Sequence, residues 1–153
     1  METFDFQDGN GPVPAHRHIN PNGSVGGWVA ETATVESNCY IGPNALVYGS
    51  AHVSGKACVY GSSRVSGYAL VYGKACVFGD ADIFGNAKVF GKAWVYGNAY
   101  VFGDAEIYGD AYVFGSAHVS GKACVSGDAE VYGNAWVCGK AKVRGNSRVG
   151  WKL

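Results

Sequence analysis

A valine or isoleucine occupies every sixth position from Val29 to Val149, which makes 21 consecutive positions in a chain of 153 residues. An α-helix returns a side chain to the same face about every 3.6 residues and a β-strand every two, so neither element alone has a period of six. A short strand followed by a turn has that period when the unit is repeated and stacked along one axis. The repeat therefore predicts a β-solenoid.

The other positions of the repeat assign each residue a place in the coil. A typical unit is Val95-Tyr96-Gly97-Asn98-Ala99-Tyr100, and glycine recurs at its third position from Gly49 to Gly145, 17 times without a gap. The fifth position is alanine at 17 of 20 places. Alternation along a strand puts alanine and the next valine on one side, so both are predicted to fill a narrow core. Glycine supplies the positive φ of a tight corner.

Three units of six predict a triangular coil with a period of 18, in which each strand pairs in parallel with the equivalent strand of the next coil. The 21 units give seven coils, and a spacing of about 4.8 Å per coil predicts a rod roughly 34 Å long. The predicted fold class is all-β, a single-stranded parallel β-helix at residues 28–153, preceded by a cap segment at residues 1–27. Cys58 and Cys76 are three units apart, which predicts that they are neighbours on adjacent coils.

The unit Ile41-Gly42-Pro43-Asn44-Ala45-Leu46 resembles the hexapeptide repeat of left-handed parallel β-helix proteins, a superfamily that includes trimeric acyltransferases and gamma-class carbonic anhydrases. The run Gly26-Gly27-Trp28-Val29, with the repeat behind it, is similar to uncharacterised transferase-like or polymer-forming repeat proteins of bacteria and phages. The resemblance covers residues 28–150 and implies a left-handed coil and a trimer. Most units here depart from the acyltransferase pattern in the position of glycine, and bactofilin-type polymer-forming proteins use similar repeats in right-handed helices.

Composition narrows the class of protein. The net charge is zero, with 12 basic and 12 acidic residues, which argues against general nucleic-acid binding. The sequence has no apolar run long enough to cross a membrane and no secretory signal after Met1. Five cysteines are an odd number and follow no knottin-like spacing. A reducing cytoplasm is therefore expected, that of a bacterial host if the chain is phage-encoded.

The charges are unevenly placed along the predicted rod. Acidic residues cluster towards one end and basic residues towards the other. This predicts either that rods stack end to end through their poles or that the basic pole binds another anion. Charge that only deters pairing at an open sheet edge is the alternative. The acidic set is Glu2, Asp5, Asp8, Glu31 and Glu36, and the basic set is Lys140, Lys142, Arg144, Arg148 and Lys152.

Folding the sequence at every third unit makes the three predicted faces unequal. One face carries two columns rich in aromatic residues with almost no charge, whereas the other two mix aromatic and ionic residues. A contiguous apolar strip usually marks a contact surface, although an aromatic ladder also stabilises stacked strands by itself. We therefore predict a homo-oligomer, a trimer by the resemblance, with an interface made of Tyr60, Phe78, Trp94, Tyr96, Tyr112, Phe114 and Tyr132.

Histidines are the residues that would make this chain an enzyme. Hexapeptide acyltransferases use a histidine as general base in a cleft between subunits, so the resemblance implies that role for His118 or His52, with acyl-CoA bound beside it. The repeat has no insertion loop to build an acceptor pocket. The two histidines also do not reproduce the three zinc ligands of the gamma carbonic anhydrases. Outside the acyltransferase alternative, no cofactor is expected.

Two local patterns indicate possible ligands. His16 and His18 would point the same way in an extended segment, so three copies on a symmetry axis could bind a metal; a cap in which they bond the backbone is the alternative. Lys56, Lys74 and Lys92 stack at one predicted corner, where they attract an anion or simply stay hydrated.

The features together favour a non-enzymatic oligomeric scaffold or binding protein. It is expected to self-associate through the aromatic face and to bind a partner or small ligand at subunit clefts or poles. An acyl-CoA-dependent acyltransferase with a histidine general base is the alternative.

Overall fold

The structure is a computed structural model that describes residues 2–151. Among those residues there is no helix that is long and apolar enough to cross a membrane. The first three strands are β1 (Thr3–Asp5), β2 (Pro12–Ile19) and β3 (Val25–Ala30). Twenty strands of two residues follow: β4 (Thr34–Val35), β5 (Tyr40–Ile41), β6 (Leu46–Val47), β7 (His52–Val53), β8 (Cys58–Val59), β9 (Arg64–Val65), β10 (Leu70–Val71), β11 (Cys76–Val77), β12 (Asp82–Ile83), β13 (Lys88–Val89), β14 (Trp94–Val95), β15 (Tyr100–Val101), β16 (Glu106–Ile107), β17 (Tyr112–Val113), β18 (His118–Val119), β19 (Cys124–Val125), β20 (Glu130–Val131), β21 (Trp136–Val137), β22 (Lys142–Val143) and β23 (Arg148–Val149).

The strands form three sheets that together make a triangular parallel β-helix. The first sheet runs from β3 through every third strand to β21, the second from β4 to β22 and the third from β5 to β23. Each contributes seven parallel strands, which confirms seven coils. Parallel partners are separated by three units of the repeat, as in the pairs Val77 with Val95 and Val119 with Val137. The predicted length of one coil is therefore confirmed, while its left-handedness stays a prediction.

The valine and alanine columns form the core, as the repeat predicts. Every valine or isoleucine at the six-residue spacing from Ile41 to Val137 is 0% exposed. Burying one such side chain stabilises the fold by about 1.5–3 kcal/mol relative to leaving it in water. Ser63 replaces alanine in one coil, and its hydroxyl donates a hydrogen bond to the Tyr60 carbonyl at 2.7 Å. The buried hydroxyl of Ser63 is therefore hydrogen-bonded within the core.

Glycine is required at the corners because adjacent corners stack closely. The repeat glycines from Gly49 to Gly145 have φ between 62° and 69°, a region that other L-residues occupy at a cost of about 1–2 kcal/mol. A Cβ on Gly97 would lie 2.9 Å from both the backbone nitrogen and the carbonyl oxygen of Gly115. The same approach lets the amide of Asn98 donate to the Gly115 carbonyl at 2.7 Å. Both the turn and the stacking of turns therefore exclude a side chain.

The N-terminal segment covers the start of the solenoid in two ways. β1 pairs antiparallel with β2, and β2 pairs antiparallel with β3, which covers the edge of the first sheet. At the third sheet a side chain replaces a strand: Asn20 accepts from the Ile41 amide at 2.8 Å and donates to its carbonyl at 3.1 Å. Nε2 of His18 donates to the Cys39 carbonyl at 2.8 Å. Asn20 and His18 are buried, which removes water as a competing partner.

Aromatic packing fixes this cap to the first coils. Phe4 stacks on Trp28 with ring centroids 5.0 Å apart, and Phe6 stacks on Tyr48 at 4.9 Å. The guanidinium of Arg17 lies 5.0 Å from the Trp28 ring centroid. The cap is therefore part of the same hydrophobic unit as the repeat.

The two ends of the rod differ, and this limits end-to-end stacking. At the N-terminal end the cap covers the first and third sheets, while the second sheet begins at β4. At the other end the three sheets finish at β21, β22 and β23, and the amide of Trp136 donates to the Trp151 carbonyl at 3.3 Å. Lys152 of the basic set lies outside the described residues. Stacking of poles stays a prediction. At the N-terminal end the outermost strands of the first and second sheets are β1 and β4.

Substituting one corner glycine tests the stacking of corners. Gly97→Ala should lower the free energy of unfolding by about 2–5 kcal/mol, because it adds a left-handed residue and a backbone overlap. Gly139→Ala is the matched control, since Gly139 has φ 64° but nothing within 4 Å of an added Cβ. It should cost only about 1–2 kcal/mol. Equal losses in denaturant titrations followed by circular dichroism would show that the corners do not stack closely.

Removing the side-chain cap tests whether it closes the third sheet. Asn20→Ala leaves the amide and carbonyl of Ile41 without a protein partner, which costs about 1–3 kcal/mol per buried group. Hydrogen exchange at the Ile41 amide should therefore become at least about tenfold faster. The matched control is Asn22→Ala, because Asn22 only bonds Ser24 within an exposed turn. Unchanged exchange at Ile41 in the Asn20 variant would rule out the capping role.

Candidate functional site: an aromatic sheet face

The outward side chains of the third sheet form a surface that we call the aromatic face. Strand alternation points the residues on either side of each core valine outwards, so the face has two columns. The corner column follows the valines and is made of Tyr60, Phe78, Tyr96, Phe114 and Tyr132. The strand column precedes them and contains Tyr40, Cys58, Cys76, Trp94 and Tyr112.

The corner column is a continuous stack of rings. Tyr60 and Phe78 have ring centroids 4.9 Å apart, and Phe78 and Tyr96 are 4.8 Å apart. Tyr96 and Phe114 follow at 5.0 Å with planes 3° apart, and Phe114 and Tyr132 at 5.7 Å. This confirms that Tyr96 and Phe114 lie on the same wall of the prism. Stacking covers the flat sides of these rings and leaves their edges towards solvent.

The strand column interlocks with that stack. Trp94 stacks on Tyr112 at 5.3 Å and meets Phe78 edge to face at 5.6 Å. Tyr112 in turn meets Tyr96 edge to face at 6.4 Å. Trp94 is nevertheless 39% exposed and Tyr60 36%. The face is thus rigid, ring-rich and still partly open to water.

What sets this face apart is its lack of formal charge. From Tyr40 to Phe114 neither column contains an acidic or basic residue, and charge appears only with Glu130 and Arg148, whose carboxylate oxygen and guanidinium nitrogen are 3.8 Å apart. The other faces also carry ring stacks, for example Phe90 on Tyr108 at 4.9 Å. There, however, the strand columns hold pairs of opposite charge on adjacent rungs.

Two of those pairs illustrate the contrast. Arg64 lies beside Asp82 on the first sheet, and Lys88 lies beside Glu106 on the second. Burial raises the pKa of the Asp82 carboxyl, although the Arg64 charge opposes that shift. Charged pairs thus lie in the middle coils of the first and second sheets, whereas the third sheet has its charged pair, Glu130 and Arg148, only on its last two rungs.

The tyrosine hydroxyls do not restore charge to the aromatic face. Burial raises the pKa of Tyr96 above 10.0, and the neighbouring Tyr112 raises it further. Burial likewise raises the pKa of Tyr60, with smaller contributions from Cys76 and Cys58. Both phenols are therefore neutral around pH 7, and they can donate or accept hydrogen bonds at the edge of the face.

The candidate catalytic histidines lie on different faces. His52 belongs to β7 on the second sheet and is exposed. His118 belongs to β18 on the first sheet, where its ring stacks on Trp136 at 5.2 Å and meets Tyr100 at 4.9 Å. Its Nδ1 lies 3.2 Å from the Ser116 carbonyl. Within one chain His118 is thus a member of an aromatic ladder, and acyl transfer would need a cleft supplied by another subunit.

The candidate metal ligands His16 and His18 are separated by their partners. Nδ1 of His16 lies 2.7 Å from the Glu31 carboxylate on the surface. His18 is buried against the Cys39 carbonyl, as a cap residue. Over residues 2–151 no three histidine, cysteine or acidic side chains come together in an arrangement that could bind a metal. Each of the two imidazoles therefore has a hydrogen-bond partner in its own chain.

The three corner lysines do stack, as their spacing predicts. The amide of Lys56 donates to the Gly73 carbonyl at 2.8 Å, and the amide of Lys74 to Gly91 at the same distance. Lys92 follows on the next coil, and all three side chains are exposed. Anion binding at this edge stays a prediction.

The strand column of the aromatic face also contains a pair of adjacent cysteines. Cys58 and Cys76 are direct neighbours on β8 and β11, which confirms the predicted contact. Burial and the adjacent Cys58 thiol raise the pKa of Cys76 to about 11.

A cavity of about 220 Å³ also opens beside the cap, lined in part by Phe6 and Tyr48. The sequence does not predict this cavity, because part of its lining comes from the cap, which has no repeat to indicate which residues meet.

The resemblance to hexapeptide-repeat proteins rests on the residues of the repeat alone. No family model matches the chain, and no curated protein and no solved structure is significantly similar to it. Membership of that superfamily therefore stays a prediction.

Proposed function

We propose that this protein is a non-enzymatic scaffold or binding protein that self-associates through the aromatic face. The observation that carries this proposal is the absence of formal charge from both columns of the face between Tyr40 and Phe114. Stacking within the chain accounts for a column of rings on each face. It does not account for the absence of charged residues from five successive rungs of one strand column, from Tyr40 to Tyr112.

A second copy of this chain is the partner that fits the surface. The face is regular along its length, so an identical face can meet it without leaving a charge unpaired. Cyclic assembly repeats one contact around an axis. In the trimer that the resemblance implies, different parts of the face meet across each contact. Burial of the exposed parts of Trp94 and Tyr60 then adds apolar contact that the isolated chain lacks.

The size of the face is consistent with this use. Seven rungs at about 4.8 Å give a height of about 34 Å, and six residues at about 3.3 Å give a width of about 20 Å. The product, about 700 Å², is close to the roughly 800 Å² per partner that a stable interface buries. Nearly the whole face must therefore be buried in the interface. A charge introduced near its centre should weaken association strongly.

The cysteines bear on the compartment of the assembly, and its clefts and poles bear on where it binds other molecules. We place it in the cytoplasm, where the five cysteines, none of which forms a disulfide within residues 2–151, remain reduced. Clefts between subunits and the charged poles are the sites proposed for a partner or a small ligand. Bound acyl-CoA in such a cleft, within reach of His118 or His52, would instead support the acyltransferase alternative.

Charge placed at the centre of the face tests the proposal. Tyr96→Lys/Phe114→Lys should convert the oligomer to monomer, because unpaired ammonium groups would be buried against their symmetry mates. We expect the dissociation constant to rise by at least about a hundredfold, or about 2.7 kcal/mol. Native mass spectrometry and sedimentation velocity report this change.

A matched control separates assembly from folding. Phe90→Lys/Tyr108→Lys removes an equivalent stacked pair, 4.9 Å apart, from the second sheet. It should lose similar folding stability in a thermal melt but keep the oligomer. If the wild-type chain is monomeric at tens of micromolar, or if both double variants dissociate alike, the aromatic face is not the interface.

A further inference from the structure

The aromatic face contains a pair of cysteines placed by a repeated sequence. Lys56-Ala57-Cys58-Val59 and Lys74-Ala75-Cys76-Val77 occupy equivalent places on adjacent coils, so Cys58 and Cys76 pair in register on β8 and β11. Their sulfurs take the same orientation. Sγ of Cys58 lies 4.0 Å from the Lys56 carbonyl oxygen, and Sγ of Cys76 lies 3.9 Å from the Lys74 carbonyl oxygen. From the shared register and the matching sulfur–carbonyl distances we infer that the two thiols lie one above the other, separated by about the strand spacing of 4.8 Å.

That spacing suits an ion between the sulfurs better than a bond between them. Adjacent strands are about 4.8 Å apart, whereas a disulfide needs Cβ atoms about 3.5–4.5 Å apart. Two collinear metal–thiolate bonds, each taken at the length of about 2.3 Å that zinc–thiolate bonds have, hold their sulfurs about 4.6 Å apart. The rungs can thus accept a linear two-coordinate ion without moving, whereas a disulfide needs the two Cβ atoms to come slightly closer than the strand spacing.

The number of donors narrows the class of ion. Cys39, the cysteine on the preceding coil, is buried in the core, with its Sγ 3.6 Å from the Gly55 carbonyl oxygen. The rung neighbours of the pair are Tyr40 on one side and Trp94 on the other. Two sulfurs without a third strong ligand do not satisfy tetrahedral zinc. They suit a soft monovalent ion, for which thiolates are the preferred ligands.

The surroundings favour a singly charged complex. Both cysteines are half-buried beside the stacked rings of Tyr60 and Phe78, which limit access of water. The nearest charged residues in the same units are Lys56 and Lys74 at the exposed corner. Their positive charges offset the single negative charge of a complex between two thiolates and one monovalent cation.

We propose that Cys58 and Cys76 form a two-coordinate site for a soft monovalent cation of the copper(I) class. Binding replaces the two thiol protons, so that one cation and two thiols give one anionic bis-thiolate complex and two protons. No electron is transferred. The site does not rest on self-association, although the assembly would place it at the interface.

The chain contains its own matched control. Lys122-Ala123-Cys124-Val125 repeats the same sequence, and Sγ of Cys124 lies 3.9 Å from the Lys122 carbonyl oxygen, as in the pair. The rung neighbours of Cys124 are Glu106 and Lys142 rather than a cysteine. Cys124 thus has the local geometry of the site without its second ligand.

Titration with copper(I) under nitrogen, with bicinchoninate as competing ligand, tests the proposal on the full reduced chain. The wild type and Cys124→Ser should each retain one copper ion per chain in native mass spectra. Cys76→Ser and Cys58→Ser should bind on the order of a hundredfold more weakly, because the second thiolate no longer acts at high effective concentration. Circular dichroism should show all four chains folded.

The outcomes separate this site from its alternatives. X-ray absorption should show two sulfur neighbours around copper, and a third would indicate a site between chains and overturn the proposal. Retention that Cys76→Ser leaves unchanged, or a disulfide joining tryptic peptides 57–64 and 75–88 instead of bound copper, would also overturn it. Repeating the titration with Tyr96→Lys/Phe114→Lys shows whether assembly matters, since that variant should bind copper equally well.

Discussion

The close stacking of corner glycines is the constraint on which the rest of this structure depends. Each corner must turn with positive φ and must also let the next corner approach until amide and carbonyl bond, as Asn98 does with Gly115 at 2.7 Å. A side chain at Gly97 would prevent both. Because glycine recurs every six residues, every wall has the same width. The register cannot slip by one residue without placing a residue such as Tyr96 or Asn98 at a corner and turning valine out of the core.

A fixed register of three units per coil turns the sequence into columns. Whatever occurs at one position meets its equivalent one coil later, so rings stack on rings, thiols on thiols and lysines on lysines. In this fold, repeating one type of residue at one position therefore gives a surface of uniform chemical character. The uncharged rungs of the aromatic face are a result of that repetition, as its stacked rings are. The aromatic face and the Cys58–Cys76 pair are two consequences of that geometry.

The periodic part of the molecule could be predicted from the sequence, and the aperiodic part could not. The core, the corners and the membership of each wall follow from the spacing of Val77, Gly97 and their equivalents. The contacts of the cap could not be predicted, because a hydrogen bond such as that between Asn20 and Ile41 joins residues 21 apart in the sequence and no repeat indicates it. His18 illustrates the limit, since its position in the sequence suits a metal ligand and a backbone cap equally.

The most direct test of the register is scalar coupling across hydrogen bonds in a magnetic resonance spectrum of the labelled protein. The Tyr96 amide donates to the Val113 carbonyl at 2.9 Å, and the Phe114 amide donates to the Val131 carbonyl at 2.8 Å. Couplings from each of these nitrogens to its partner's carbonyl carbon, and between the equivalent atoms of the other units, are predicted along all three walls. A different offset between the coupled residues, or an offset that changes from wall to wall, would contradict the coil and every surface derived from it.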